Sequence, residues 1–387
     1  MKPKTLIGLA AITVVVTVAA VVAVQQRESA IRPQAGGGPL FVDLGDKINA
    51  VAKIAITTAD GGFTIARDGD TWGVVEKSGY PALFDKVKAT ILGLAEMRGL
   101  ATKTDDAARY AEIGLADPGA EEGAARRLAL LDDGGAELAA ILLGDSGRGG
   151  GNRIYVRRPD DPQSWLAAAD LDIGASALDW IDRTVLRITH DRVNRVVITQ
   201  PDGGALIVGR KDRAEPRFSI ADIPDGMKVS SASMINGLGG AIGFVTAEDV
   251  IAAADLPAAE EGATTARFET FDGLVVTVSS TTHDGALWAQ IEAAFDPAIV
   301  VSEESSTAGE GEGEGEGEGE GAAVAKTEPE TDPAAAASAE AEALNARHAG
   351  WAYALQEYTG EQMTRALADL IEEDVPEQPE DGAAPAE

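Results

Sequence analysis

VAKIAITTADGG at residues 51–62 returns, little altered, as VNRVVITQPDGG at residues 193–204. In the first copy Val51, Ile54 and Ile56 lead, in near alternation with polar residues, up to an Asp-Gly turn. Period-two alternation bounded by Asp-Gly is the pattern of a β-hairpin. It predicts paired strands over 51–58 and 63–67 with a third at 72–75, and their counterparts over 193–199, 205–209 and 217–220. A helix is expected next in each copy. Leu83, Val87, Ile91 and Leu94 recur at helical spacing in the first. In the second, Ser230 or Ser231 can cap a helix carrying Ile235, Leu238 and Ile242. Gly237, Gly239 and Gly240 weaken that helix but permit close packing on a sheet.

The parallel extends further along the chain. RRLALLDDGGAELAAILLGD (126–145) and ARFETFDGLVVTVSST (266–281) both read as hairpins, followed by strands at 152–158 and 286–295. A strand and a helix are expected over 164–186. Their counterpart is absent directly after Phe295 and emerges at 351–375 as a strand, a turn at Gly360 and a helix, with Leu178–Asp182 answering to Leu367–Ile371. The predicted fold is therefore α+β: two tandem similar modules, each a small, mainly antiparallel sheet with packed helices. The first spans 51–187 and the second spans 188–301 and 344–375. The duplication either shapes a cleft between modules or records ancestry alone. Residues 302–343, with GEGEGEGEGEGEG at 309–321, are expected to be a disordered acidic insertion inside the second module. Alternating Gly and Glu bury no apolar area and repel one another. Lengthening a loop in this way costs a fold only about 1–2 kcal/mol. Residues 376–387 are expected to form a disordered acidic tail.

Residues 1–24, MKPKTLIGLAAITVVVTVAAVVAV, place two Lys before an uncharged run from Thr5 to Val24. As a helix that run covers about 30 Å, the hydrocarbon thickness of a bilayer. Lys2 and Lys4 favour a cytoplasmic N-terminus, whereas Arg27 and Arg32 on the far side weaken the asymmetry. The expectation is a transmembrane signal anchor over 1–27 and a stalk over 28–50. The main body would then lie outside the cytoplasmic (inner) membrane, periplasmic in a two-membrane envelope. A cleaved signal peptide is the competing reading, for which Val-Ala-Val before Gln25 is a poor cleavage site.

The 387 residues carry a formal net charge of −32 and no Cys. Segments 302–343 and 372–387 hold 19 of those net negative charges, which leaves −13 for the rest. Such a surface argues against nucleic acid and anionic headgroups as partners, because both need clustered Lys and Arg. Without Cys there is no disulfide, thiolate nucleophile, Cys-ligated zinc or iron–sulfur cluster.

YAEIGLADP at 110–118 carries a family resemblance. Tyr110 and Gly114-Leu115-Ala116-Asp117-Pro118 follow a short helix. With Leu143-Gly144, Ile154-Tyr155-Val156 and the late strand GWAYALQEY (350–358), they resemble the DUF4340 family. The resemblance runs over nearly the whole chain after Val51 apart from the acidic stretch. Its second copy is degenerate, with Ala254-Asp255-Leu256-Pro257 at the corresponding place. It implies a membrane-anchored extracytoplasmic protein of uncharacterised function, associated with gliding-motility-type ABC transport systems. Permease and ATPase subunits are the partners it implies, and no catalytic residue comes with it.

No reading of the residues alone locates a reaction. His190, His283 and His348 stand in no ligand spacing. His190 reads as a hydrogen-bonding linker residue. GDSGRGGGN (144–152) leads into a strand, whereas a phosphate loop leads into a helix. Asp60-Gly61, Asp68-Gly69-Asp70 and Asp132-Asp133-Gly134 read as turns, lacking the alternate acids of a calcium loop. Ser146, Ser176 and Ser279 lack a nucleophile elbow. Trp72, Trp165, Trp180, Trp288 and Trp351 read as core, with a ligand-stacking role for one of them as the alternative. No catalytic, cofactor-binding or metal-ligating residue and no cofactor is assigned. The leading expectation is a non-enzymatic accessory or binding protein. The alternatives are an extracytoplasmic hydrolase with a carboxylate or Ser site, and a structural spacer of the envelope.

Overall fold

The repeated phrase folds as a hairpin in both places. In the computed structural model, β1 (Lys53–Thr58) and β2 (Gly61–Asp68) pair antiparallel, with Ile54 opposite Ile65 and Ile56 opposite Phe63. Ile54, Ile56 and Ile65 are fully buried, so the alternation read from sequence is the inward face of a sheet. Gly61 takes up the turn with φ of 136°. The structure describes residues 38–120, 124–147, 152–258, 262–301 and 332–374. The expected anchor at 1–27, most of the acidic insertion and the tail at 376–387 lie outside the described residues. Among the described residues no helix is long and apolar enough to cross a membrane.

The chain divides into two compact units, with the division between Ile181 and Asp182. In the first, β3 (Thr71–Val74) and β4 (Tyr80–Pro81) extend the hairpin, and α1 (Phe84–Ala95) follows. Next come β5 (Arg98–Thr102), a 3-10 turn at Ala107–Ile113, β6 (Arg126–Leu131), β7 (Glu137–Ser146), β8 (Arg153–Arg157) and β9 (Ser164–Ala168). All strands join one antiparallel sheet in the order β4-β3-β2-β1-β6-β7-β8-β9-β5. Helix α1 buries Val87, Thr90, Ile91 and Leu94. Leu83 is a correction to the helical spacing. It stands at the N-cap, exposed, with its main-chain N–H donating to the Trp180 carbonyl at 2.7 Å.

The second unit begins with β10 (Thr184–Leu186), β11 (Val193–Thr199), β12 (Ala205–Gly209), β13 (Ser219–Ile220) and β14 (Met227–Val229). It continues with α2 (Ala232–Gly240), β15 (Val245–Ala252), β16 (Thr264–Thr270), β17 (Leu274–His283) and β18 (Ala286–Phe295). It closes with α3 (Pro333–His348), β19 (Trp351–Leu355), α4 (Glu357–Thr364) and β20 (Ile371–Glu373). Its main sheet runs β10-β15-β19-β18-β17-β16-β11-β12-β13, and β14 pairs with β20 apart from it. From β13 through β15 this order matches, strand for strand, that of the first sheet from β3 through β5. Strand β19 reaches its place between β15 and β18 from the far side of the acidic stretch. Gly239 of α2 packs so closely on the Phe218 ring that a Cβ there would collide with it.

Three further expectations need correction. Residues 333–343, assigned by composition to the disordered insertion, lie in α3. Asp332 caps it by accepting from the Ala334 N–H at 3.1 Å, and Pro333 opens the first turn. An Ala-rich run is the best of helix formers, and Ala337 and Ala341 are buried one turn apart. The turn expected at Gly360 lies inside α4, because Gly360 lets the helix approach Leu287 to within 2.7 Å of where a Cβ would stand. The helices expected within 164–186 and after Gly360 within 351–375 are only 3-10 turns, Ala177–Trp180 and Leu367–Asp369. The two turns close alike: Asp179 accepts from the Ser176 N–H and Asp369 from the Ala366 N–H, each at 2.9 Å. Ser231 occupies the N-cap of α2 without a side-chain capping bond, its Oγ lying 2.9 Å from Ser233 Oγ.

Candidate functional site

The residues of the YAEIGLADP motif converge on one corner of the first unit. Asp106 caps the 3-10 turn through the Ala108 N–H at 3.0 Å, which orients Tyr110 inward. The Tyr110 hydroxyl donates to the Pro162 carbonyl at 2.6 Å, and the Arg157 guanidinium lies 4.5 Å from the centre of its ring. Arg157 is itself buried and donates to Asp117 Oδ1 at 2.7 Å. Gly114 ends the turn in the left-handed region at φ of 68°, and Leu115 N–H returns to the Tyr110 carbonyl. Only Gly fits at 114, since a Cβ would stand 2.6 Å from Asp145 Oδ1. A Cβ on Gly144 would collide with the Ile113 carbonyl. Leu115, Tyr110, Ala125 and Leu142 form a small core here, with Tyr155 packed against it. Burial raises the Tyr110 phenol above its ordinary pKa, against the opposing pull of Arg157. A phenol so held is a structural donor.

Two arginines organise the second unit. Arg210 is 8% exposed and donates to four main-chain carbonyls: Val193 and Glu215 at 3.0 Å, His190 at 2.8 Å and Asp191 at 2.7 Å. Its guanidinium also lies 5.0 Å from the Phe218 ring and 5.4 Å from that of Phe271. Arg192 reaches Asp272 at 3.0 Å and holds Glu340 of α3 with two bonds, of 3.2 and 2.7 Å. Despite the opposing effect of burial, these two acids raise its pKa. Asn345 of α3 receives the Ala293 N–H at 2.8 Å and donates to the Ala293 carbonyl at 2.6 Å. Arg347 donates to Asp182 at 2.7 Å and to the Thr184 carbonyl.

The histidines are dispersed. The His190 ring meets Phe218 edge-on at 5.2 Å, and burial followed by the Arg210 charge lowers its pKa. His348 is buried with Nδ1 at 2.9 Å from the Tyr353 hydroxyl, and burial pushes its pKa down to about 4. His283 lies 3.3 Å from Asp284 beside the β17–β18 turn. Among the described residues no group of three or more His, Cys, Asp and Glu could hold a metal ion.

The remaining sequence candidates take local roles. Asp132 Oδ1 accepts from the Ala136 N–H at 2.8 Å within its turn, and Asp202 Oδ1 accepts from the Gly204 N–H at 2.8 Å. The Gly-rich loop joins β7 to β8, and Gly147 N–H donates to the Arg153 carbonyl at 2.8 Å. Ser146 ends β7, Ser176 heads a 3-10 turn and Ser279 lies within β17. Trp72, Trp180 and Trp288 are buried, and Trp165 and Trp351 are partly so. Trp180 Nε1 donates to the Ile173 carbonyl at 2.9 Å.

One feature of the second unit escaped the motif reading. The inward face of β17 carries Leu274, Val276 and Val278 and then turns to Ser280 and Thr282. Register sets Ser280 opposite Thr264 of β16 on one side and Ala289 of β18 on the other. Gln200, just past β11, comes 3.4 Å from Thr264 and donates from Nε2 to the Thr364 and Arg365 carbonyls at 3.0 and 3.2 Å. The apolar face thus gives way to a polar rung below α4. There a cleft of about 670 Å³ opens, and a second of about 520 Å³ shares Thr282, Leu287 and Thr364 with it. The signal was present in VTVSSTTH, where alternate positions change from Val to hydroxyl, but only strand register aligns it with Gln200 and Thr264.

None of the curated proteins and none of the solved structures compared matches the chain. Residues 72–259 match the family model described as Domain of unknown function (DUF4340).

Proposed function

We propose that the protein is a non-enzymatic accessory or binding subunit, anchored in the cytoplasmic membrane by residues 1–27, with its body extracytoplasmic and in association with an ABC-type transport system. One observation carries the non-enzymatic part. The residues that bear the family resemblance, Tyr110, Gly114, Asp117 and Arg157's contacts to them, are consumed in closing a corner of the fold. What such a lock preserves is a rigid shape, and a rigid shape serves recognition. The apolar run from Thr5 to Val24 supports the anchor, and the shortage of Lys and Arg argues against nucleic acid as partner. The transporter association rests on the family resemblance. We further infer that the two units are copies of one α+β module, which the matching strand orders support.

Cross-linking of the tagged full-length protein in membranes, followed by mass spectrometry, tests the association. Recovery of permease and ATPase subunits is expected, and recovery of the protein alone would overturn it. The Cys-free chain makes topology simple to test. A single Val75→Cys should react with a membrane-impermeant maleimide in intact spheroplasts, and protection there would refute the extracytoplasmic placement.

A further inference from the structure

We infer that the cleft below α4 in the second unit binds an uncharged, polyhydroxylated small molecule of the class of a mono- or disaccharide. This rests on the binding reading above and names the ligand class for it.

The rung that floors the cleft is built of groups that both donate and accept. Thr264 of β16, Ser280 and Thr282 of β17, and Gln200 just past β11 are brought together by register. Ser280 is 3% exposed and its Oγ has no hydrogen-bond partner in the protein. Buried hydroxyls are ordinarily paired, so an unpaired one in the wall of a cavity is a request for a partner from outside the chain. A ligand hydroxyl answers it in either sense, as donor or acceptor.

Charge narrows the class. Among the described residues lining this cleft there is no Lys or Arg, so a phosphate or carboxylate would enter without a counter-charge. Among the described residues lining the cleft the one carboxylate is Asp284, whose side chain is 88% exposed, so water screens it and it draws a cation only weakly. A neutral polyol meets neither penalty. Leu287 and Pro201 supply the apolar contact that the C–H face of a sugar ring needs. A volume of about 670 Å³ lies within the range of small-molecule sites. The roof is fixed in advance, because Gln200 is bonded to the main chain at Thr364 and Arg365, and Gly360 is seated on Leu287.

The test uses the full-length protein in nanodiscs, since detergents with sugar headgroups would occupy the site. Saturation-transfer NMR and calorimetry are run with N-acetylglucosamine, maltose and sorbitol. Glucuronate serves as the anionic control and glucosamine as the cationic one. Saturation transfer to at least one neutral probe is expected, with binding at millimolar or lower concentration. Ser280→Ala should weaken it at least tenfold, and Thr282→Arg, a change at an exposed mouth position, should abolish it with the circular dichroism spectrum unchanged. Three results would overturn the inference: no transfer to any neutral probe, equal transfer in wild type and Thr282→Arg, or preference for a charged control. Cross-linking to transporter subunits is read separately. Sugar binding without those partners sinks the transporter association and spares the site, whereas partners without sugar binding do the reverse.

Discussion

Glu340→Ala should loosen the second unit by an amount that can be worked from the geometry around Arg192. Wild-type Glu340 accepts two bonds from a guanidinium whose side chain is 24% exposed, and its own is 33% exposed. Hydrogen bonds to charged groups contribute about 1.5–3 kcal/mol each way of counting, while a fully exposed pair contributes under about 1 kcal/mol. Partial screening puts this pair near 2 kcal/mol. Asp272 remains on Arg192 in the variant, so the guanidinium is not left wholly unpaired. The gain in helix propensity from Ala returns only about 0.3 kcal/mol. With a urea dependence of about 2 kcal/mol per molar, the midpoint of the second unit should fall by close to 1 M. Glu340→Gln, which keeps the shape and loses the charge, should fall about half as far. Amide exchange should quicken along Pro333–His348 in both variants. A Glu340→Ala midpoint within about 0.2 M of wild type would refute the claim that this ion pair, joining residues 148 apart in sequence, docks α3.

Other outcomes follow from the same reasoning. Tyr110→Phe removes the 2.6 Å bond to the Pro162 carbonyl at a buried site and should lower stability by about 1–2 kcal/mol, read as a loss confined to the first unit's transition. Gly239→Ala drives a methyl into the Phe218 ring and should destabilise the second unit by about 1–3 kcal/mol; a neutral result would mean that α2 can lift away from the sheet. His348, with a folded pKa of about 4, takes up its proton later than the unfolded chain does. The unfolded state therefore binds more protons between about pH 6.5 and 4, and stability falls as pH drops through that window, by up to about 3 kcal/mol. His190 is depressed as well and adds to the same slope. His348→Gln should flatten the dependence in urea titrations between pH 7.5 and 4.5, and an unchanged slope would show that burial of His348 does not set it.

What could be read from the sequence was what local chemistry dictates. The Asp-Gly turns, the alternating strands beside them and the apolar stripes of α1 and α2 each depend on residues within one or two turns of chain. The strand at 286–295 was legible to the residue for the same reason. Helix α3 was hidden because its Ala-rich start shares a composition with the acidic repeat before it. Asp332-Pro333 was a start signal that segment-wide composition overrode. The α4 turn was misplaced because Gly360 serves contact with Leu287, a partner 73 positions away, and looks in isolation like a chain reversal. The Tyr110–Arg157 stack and the polar rung were out of reach in kind. The stack depends on how a 3-10 turn is set against β8, and the rung on register between strands, which is decided by the whole sheet.

The Asn345 side chain has a consequence beyond holding a helix. Strand β18 is laddered to β19 through Trp288 and Ala289, and farther along, at Ala293, its main chain meets an amide in place of a neighbouring strand. A side-chain amide offers the donor and acceptor of one peptide group and then stops, so it satisfies the edge without extending it. An open row of N–H and C=O groups would invite a strand from another molecule. Asn345 in this sense blunts the edge of β18 at Ala293, a contribution to solubility more than to stability.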